Sequence, residues 1–314
     1  MKMRTVLPRI LARPFPGRTV LSCEPLAGGL CNAVYRIQVE GLADSFVLRL
    51  YSRDPAACRK EFDLHRLISP SVPVPEILYA ECTGDPDTPP HILMRWVETI
   101  TFREIKRRRD PAEIAACAQA IGAVLARIAA FTFDRAGAIG PDLVIGDPLI
   151  EGVPAFVEQC LATPDFERRM QPSDRLRLRD YIRGRAPALA ELDRDRSLVH
   201  SDFGGPNILL RQSAGRWKVA AVLDWEFAFS GSPLCDVGHM LRYERRDAPR
   251  IEPHFSTAFR DHGGTLPPNW RDLARAFDLS ALCEFLARPT LPADVLAEIL
   301  ELTLATLENR EPRS

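Results

Sequence analysis

The sequence predicts an α+β fold with two lobes, a small strand-rich lobe over residues 1–97 and a larger, mostly helical lobe over residues 98–314. Three short segments in the first fifty or so residues alternate apolar and polar side chains, which is the period of half-buried β-strands. Beyond residue 110 the apolar residues recur every three or four positions, which is the period of amphipathic helices. A chain of 314 residues, 46% of them hydrophobic, is long enough for one or two domains with a sizeable core.

The first lobe begins with three predicted strands, over residues 19–25, 33–40 and 46–51. Gly28 and Gly29 form the turn between the first two strands, and residues 41–45 form the next turn. Because glycine has no Cβ, backbone N–H groups in such a turn are able to approach phosphate oxygens closely, although Gly-Gly turns are also common in ordinary hairpins.

A helix is predicted after the third strand. Asp54 supplies its N-cap, and Pro55 occupies the first helical position, where its missing N–H costs nothing. Residues 71–77 contain two prolines and form a stiff extended connector. A strand over residues 91–94 then leads to a hinge at about residues 94–98, where the second lobe starts.

The second lobe opens with Asp110 and Pro111, which are the N-cap and first residue of a long helix. The basic run Lys106–Arg109 before it is interpreted as a solvated face and not as a nucleic-acid site. Further helices are predicted near residues 151–161, 174–190, 271–287 and 292–309. The buried stripe of the long helix consists of Ile114, Cys117, Ile121, Leu125 and Ile128.

Three polar blocks follow one another within residues 198–236. The first, a loop over residues 198–210, contains His200-Ser201-Asp202 and, five positions on, Asn207. The second, residues 221–226, ends an apolar run with Asp224-Trp225-Glu226, and the third ends with Asp236. Phosphoryl transfer from a nucleotide uses one carboxylate to accept the proton of the attacking hydroxyl, and an Asn and a second Asp to hold magnesium.

Together the blocks resemble the aminoglycoside phosphotransferase and choline kinase family. His-Ser-Asp and Asp-Trp-Glu stand here where protein kinases have His-Arg-Asp and Asp-Phe-Gly. The resemblance implies a protein kinase-like bilobal fold, with an antiparallel sheet and one main helix in the first lobe. It also implies transfer of the γ-phosphate of ATP, or of GTP, to a hydroxyl of a small molecule with Mg²⁺ as cofactor.

The resemblance assigns a role to individual residues of this chain. Asp202 is the expected catalytic base, Asn207 and Asp224 are the expected magnesium ligands, and His200 and Asp236 are expected to support the loop. The expected nucleotide contacts are Gly28, Gly29, Cys31, Asn32, Arg49, Glu61, Arg95 and Val97. Cys31 replaces the family's usual Ser, so phosphate contacts there are expected from backbone N–H groups and Asn32.

Some assignments remain open at this level. Glu61 is favoured as the ion-pair partner of Arg49, and the alternative is that Glu61 is a surface charge. Glu226 is compatible either with a place near the metal or with an arginine partner. The carbonyl of Arg95 and the N–H of Val97 are expected to bind adenine, by resemblance alone.

The acceptor and the partners are less well determined. A formal net charge of −1 offers no general attraction to nucleic acid or to an anionic membrane, and eight cysteines without C-x-x-C spacing suit a reducing cytoplasm. The oligomeric state is unassigned. The alternative to an active kinase is a catalytically weak, kinase-like nucleotide-binding module that regulates a partner. A neutral or singly charged acceptor is favoured slightly over a polycationic aminoglycoside, for which the candidate carboxylates would be Glu244, Asp247, Asp278 and Glu284.

Overall fold

The computed structural model describes residues 3–26, 32–148, 150–244 and 249–308. The chain divides into two units. The first contains the residues up to Thr99, together with residues 139–144 and 220–226, and the second contains the remainder. The segment 220–226 was predicted in the helical lobe but groups with the first unit, where the N–H of Val222 donates to the carbonyl of Pro73 at 2.9 Å.

The first unit is built on a five-stranded antiparallel sheet with the strand order β1-β2-β3-β5-β4. The three strands predicted before residue 52 are confirmed to within one or two residues at their ends. The elements are Met3–Ala12 (α1), Val20–Pro25 (β1), Ala33–Val39 (β2), Ser45–Leu50 (β3), Pro55–Ile68 (α2), Ile77–Glu81 (β4) and His91–Arg95 (β5).

Helix α1 was not predicted from the sequence, and Pro8 lies inside it. Its apolar side chains nevertheless share one buried core with the sheet. That core includes Val6, Leu7, Ile10, Leu11, Ile37, Val39, Phe46, Leu48, Leu50 and Leu93. At about 25 cal/mol per Å² of apolar surface, such burial outweighs the hydrogen bond that a helical proline removes.

Helix α2 begins as the sequence predicts. Asp54 has extended backbone angles, and its carboxylate accepts the N–H of Ala56 at 3.1 Å, with Pro55 at the first helical position. One face of α2 is buried and carries Cys58, Glu61 and His65. The cap therefore fixes where the helix starts, and the start places Glu61 on the buried face.

The second unit is mostly helical. Strand β10 runs from this unit into residues 220–222 of the first. Two short sheets, with strand orders β10-β9-β6 and β7-β11-β8, lie among the helices. The elements are Ile100–Thr101 (β6), Phe102–Arg108 (α3), Pro111–Ala129 (α4), Gly137–Ala138 (β7), Val153–Leu161 (α5), Pro164–Arg169 (α6), Pro172–Arg183 (α7), Ala186–Leu192 (α8), Ser197–Val199 (β8), Ile208–Ser213 (β9), Arg216–Val222 (β10), Phe229–Gly231 (β11), Leu234–Leu241 (α9), Glu252–Asp261 (α10), Trp270–Ala287 (α11) and Ala293–Leu307 (α12).

The core of the second unit forms around α4, and all five residues of its predicted apolar stripe are buried. A Cβ added at Gly122 would lie 2.3 Å from the carbonyl oxygen of Phe255, so the small residue permits close packing of α10 on α4. Among the described residues, α4 is the one helix long and apolar enough to cross a membrane, and 50% of that apolar window is buried inside the protein. This packing is that of a core helix.

One helix prediction needed correction. The single helix expected over residues 174–190 is two helices, α7 and α8, separated at Gly184. The basic run Lys106–Arg109 lies directly before the start of α4, as expected, and it also forms the end of α3, where the C-cap Arg109 adopts a left-handed conformation with φ 58°. Basic side chains at that end are favoured because the carbonyl end of a helix is partly negative.

Candidate active site

The loop that carries Asp202 starts directly after β8, and one buried carboxylate fixes its course. The backbone N–H groups of His200 and Ser201 donate to Asp236 Oδ2 and Oδ1, each at 2.8 Å. Ser201 has a φ of 73°, in the left-handed region. These contacts hold the chain in a conformation that a non-glycine residue rarely adopts.

Burial decides the electrostatics of Asp236. The residue is inaccessible to solvent, and burial raises the pKa of its carboxyl to about 7, with a further rise from the nearby charge of Asp202. The two N–H donors from the loop act in the opposite direction. His200 is equally buried, and its Nδ1 accepts the N–H of Asp202 at 3.2 Å. The imidazole of His200 therefore makes a hydrogen bond within the loop.

Asp202 itself is exposed, while Asn207 is buried at the end of a short 3-10 turn, Gly205–Asn207. The amide nitrogen of Asn207 donates to Asp202 Oδ2 at 2.8 Å and to the Asp202 carbonyl at 3.0 Å. The carboxylate is therefore held in one orientation on the surface of the second unit. With its nitrogen engaged, Asn207 presents its amide oxygen as the atom suited to a hard cation.

A second group of charged side chains lies in the first unit around Arg49, which is only 4% exposed. Its guanidinium lies 3.2 Å from Glu61 Oε1, 2.5 Å from Asp224 Oδ1 and 3.2 Å from Glu226 Oε2. The predicted Arg49–Glu61 ion pair is present. Burial lowers the pKa of Arg49, but the negative charges around the guanidinium, that of Glu61 first, outweigh burial and raise it.

Tyr51 and Lys60 complete this group and were not anticipated from the sequence. The hydroxyl of Tyr51 donates to Glu61 Oε2 at 2.5 Å. Lys60 Nζ donates to the backbone carbonyl of Glu226 at 2.8 Å, and burial lowers the pKa of this lysine to about 8. A signal for Tyr51 was available, because residues two apart on a strand share one face and Tyr51 follows Arg49 at that spacing.

Glu226 pairs with side chains of the first unit. Its Oε2 lies 3.2 Å from Arg49 and accepts the side-chain amide of Asn32 at 2.5 Å. Burial raises the pKa of Glu226, and the charge of Arg49 opposes that rise. Glu226 therefore joins Asn32 to the group around Arg49, and its place near a metal stays a prediction.

At the hinge, the side chain of Arg95 binds Asp44 and also lies 2.8 Å from Glu76 Oε2. The N–H of Trp96 donates to the carbonyl of Ser45 at 3.0 Å. These contacts anchor the hinge to the sheet through side chains and backbone of the first unit. The expected adenine contacts of Arg95 and Val97 remain predictions, and Gly28, Gly29 and Cys31 lie outside the described residues.

Each unit contains side chains with the kind of atoms that the implied cofactors bind. Asn207 and Asp224 offer amide and carboxylate oxygens, which are the hard ligands that magnesium prefers. Asp224 is accessible, with 45% of its side chain exposed. Arg49 supplies a planar guanidinium of the kind that grips phosphate oxygens at two points.

The sequence also matches a family of known proteins. Residues 22–275 match the profile of a family described as "Phosphotransferase enzyme family". Comparison with proteins of curated function finds no match.

Two solved structures are similar over nearly the whole chain. A thermostable mutant of aminoglycoside phosphotransferase APH(4)-Ia, in a ternary complex with AMP-PNP and hygromycin B, matches with a TM-score of 0.69 and 20% identity, over 96% of this chain and 98% of that one. The GDP complex of wild-type aminoglycoside 2'-phosphotransferase-IIIa matches with a TM-score of 0.68 and 18% identity, over 98% and 99% of the two chains. The predicted α+β, protein kinase-like fold is thereby confirmed.

Proposed function

Because the chain belongs to the phosphotransferase enzyme family, we propose that it transfers the γ-phosphate of ATP or GTP to a hydroxyl group of a small molecule. The observation that carries the proposal is the loop over residues 200–207. There Asp236 holds the backbone and Asn207 orients an exposed Asp202 carboxylate. A structural aspartate has no need of such an arrangement around an exposed carboxylate, whereas a positioned base does.

In the proposed reaction, Asp202 accepts the proton of the acceptor hydroxyl as the oxygen attacks the terminal phosphate. Asn207 and Asp224 hold Mg²⁺, which neutralises phosphate charge when bound. Arg49 contacts phosphate oxygens, and Glu61 keeps its guanidinium in place at 3.2 Å. Phosphoryl transfer depends mainly on such positioning and on electrostatic stabilisation, so a rigid loop is worth more than additional reactive groups.

We further propose that the acceptor is neutral or singly charged. Asp278, one of the candidate carboxylates, is 7% exposed, and its Oδ1 lies 2.7 Å from Arg242. The charge of Arg242 also acts on Asp202. A cation of the protein therefore already neutralises the carboxylate that a polycationic acceptor would require.

Glu244 and Glu284 also have partners within the protein. Both oxygens of Glu244 accept the N–H of Ile251, at 3.1 and 3.3 Å. Glu284 pairs with Arg288 at 2.9 Å on an exposed helix face, where such a charge is well solvated. Asp247 lies outside the described residues. An acceptor with several ammonium groups would lose their hydration on binding and would need matching carboxylates. The committed carboxylates therefore favour an acceptor with at most one ammonium group.

The test is magnesium-dependent release of ADP or GDP, together with mass detection of a phosphorylated product, across a panel of alcohols, sugars, amino alcohols and aminoglycosides. Asp202→Asn should reduce turnover about 10²–10⁴-fold, and Asp261→Asn, at an exposed carboxylate of α10, is the matched control. Catalytic efficiency on small neutral acceptors should change little with salt. Salt-sensitive, efficient phosphorylation of an aminoglycoside would reverse the ranking of acceptors, and nucleotide binding without turnover on any acceptor would favour the regulatory alternative.

A further inference from the structure

Two cysteines of the first unit lie side by side between α2 and the end of β4. Cys58, in α2, is inaccessible to solvent, while Cys82 directly follows β4 and is partly exposed. Their sulfur atoms are 3.3 Å apart, although the residues are 24 positions apart in sequence. A disulfide bond is about 2.05 Å long, so small side-chain and backbone adjustments would bring the sulfurs to bonding distance.

We propose that Cys58 and Cys82 are a site of reversible oxidation, at which a hydroperoxide converts the two thiols to one disulfide. In the first step the Cys82 thiolate attacks the peroxide, its sulfur becomes a sulfenic acid, and the O–O bond breaks with release of hydroxide or alkoxide. In the second step the Cys58 sulfur attacks the Cys82 sulfur, the S–O bond breaks, and water leaves. Two thiols and hydrogen peroxide thus give one disulfide and two waters.

The surroundings give the two sulfurs different roles. The Cys58 thiol donates its hydrogen bond to Cys82, which lowers the pKa of Cys82, and the nearby guanidinium of Arg59 lowers it as well. Burial, Asp63 and Glu81 act in the opposite direction on Cys82. The pKa of Cys58 is raised, first by its hydrogen bond to Cys82 and then by burial. The partly exposed Cys82 therefore reacts with peroxide as a thiolate, and the buried Cys58 then attacks the sulfenic acid.

The position of Cys58 connects this chemistry to the charged group around Arg49. Cys58 lies one helical turn before Glu61 on the buried face of α2, and Glu61 binds both Arg49 and Tyr51. A bond to Cys82 would fix this turn of α2 to the end of β4. Oxidation should therefore slow hydrogen exchange of the α2 amides, and reduction should restore it.

The experiment exposes the full-length protein to hydrogen peroxide in a few molar equivalents, blocks free thiols, and maps tryptic peptides. Cleavage after arginine and lysine places Cys58 in residues 54–59 and Cys82 in residues 67–95. The expected product is these two peptides linked, two hydrogens lighter than their sum, and separated again by dithiothreitol. This measurement needs no variant and no enzymatic activity, so its outcome is independent of the proposed phosphotransfer.

Two variants test the order of the steps. In Cys58→Ala, peroxide should leave Cys82 as a sulfenic acid that dimedone traps, and in Cys82→Ala the peptide over residues 54–59 should remain unmodified. Cys23→Ala, at another partly exposed thiol of the first unit, should form the linked peptide as the wild type does. The proposal is overturned if the wild type gives no linked peptide, if Cys82 pairs with a different cysteine, or if dimedone labels Cys82 equally in the wild type and in Cys58→Ala.

Discussion

Replacing Arg49 with methionine should destabilise the first unit by about 3–5 kcal/mol, the usual cost of removing one partner from a buried ion pair. The guanidinium is 4% exposed and lies within 3.2 Å of three carboxylates, those of Glu61, Asp224 and Glu226. Methionine fills a similar volume but leaves these negative charges facing one another. Since whole domains are stable by only about 5–15 kcal/mol, the loss is a large share of the total.

The loss should depend on pH in a direction that identifies its cause. Burial raises the pKa of Glu61 above the ordinary 4.5, and Arg49 is the main group that lowers it. Without Arg49 the pKa of folded Glu61 rises further, so the folded variant keeps a proton that the unfolded chain releases. Stability of the variant relative to wild type is then highest at low pH and falls as the pH rises through the folded pKa of Glu61.

The assay is urea unfolding at pH 5.5 and pH 8, with hydrogen exchange of the α2 amides to localise the effect. Arg59→Met is the control, because Arg59 pairs with Asp63 and Asp142 but 47% of its side chain is exposed. Such a surface pair should cost below about 1 kcal/mol. Adding Glu61→Leu to Arg49→Met should recover part of the stability. A loss below about 1 kcal/mol, or one that is equal at both pH values, would refute the reasoning.

Three further predictions use the same structure. Asp202→Ala should reduce turnover about 10²–10⁴-fold with little change in nucleotide affinity, and steady-state kinetics with a nucleotide titration would contradict this if turnover stayed within a few-fold. Asp236→Ala removes the acceptor of the backbone N–H groups of His200 and Ser201 and should cost about 2–5 kcal/mol of stability. Urea unfolding would measure this loss, and the control Asp261→Ala should leave stability unchanged. Burial lowers the pKa of His65 in the folded protein to about 4, whereas in the unfolded chain the imidazole binds a proton as the pH falls through about 6.5. The protein should therefore lose about 2 kcal/mol of stability between pH 7 and pH 5 because of His65. In His65→Gln this part of the pH dependence should disappear, and an unchanged pH dependence of unfolding would show that His65 is not its cause.

Local signals account for what the sequence predicted correctly. Three correct predictions depend only on residues close together in sequence. They are the alternation in β2 and β3, the cap of α2 at Asp54 and the apolar stripe of α4. The Arg49–Glu61 pair was accessible for a related reason. It joins a strand to the helix directly after it, 12 positions on, and the family resemblance supplied the pairing.

Contacts between distant segments account for what the sequence did not predict. Glu226 meets Asn32 across 194 positions and Lys60 across 166, and no spacing rule links such residues. Helix α1 was missed for a comparable reason, because its stability comes from packing on a sheet whose strands all follow it. Periodicity indicates that a face is buried but not which distant element covers it.

In the proposed reaction Asp224 both pairs with Arg49 and binds the metal ion, and the group around Arg49 is suited to this exchange. Arg49 Nη1 binds Asp224 Oδ1 at 2.5 Å, so a cation that binds this oxygen competes with the guanidinium for it. Glu61 and Glu226 hold the same guanidinium from other directions and would continue to neutralise it after Asp224 is released. Without them, freeing Asp224 would leave a buried positive charge unpaired, at a cost of several kcal/mol. With Glu61 and Glu226 present, release of Asp224 removes only one of the three ionic contacts of Arg49. The guanidinium therefore keeps the position from which it would contact phosphate in the proposed reaction.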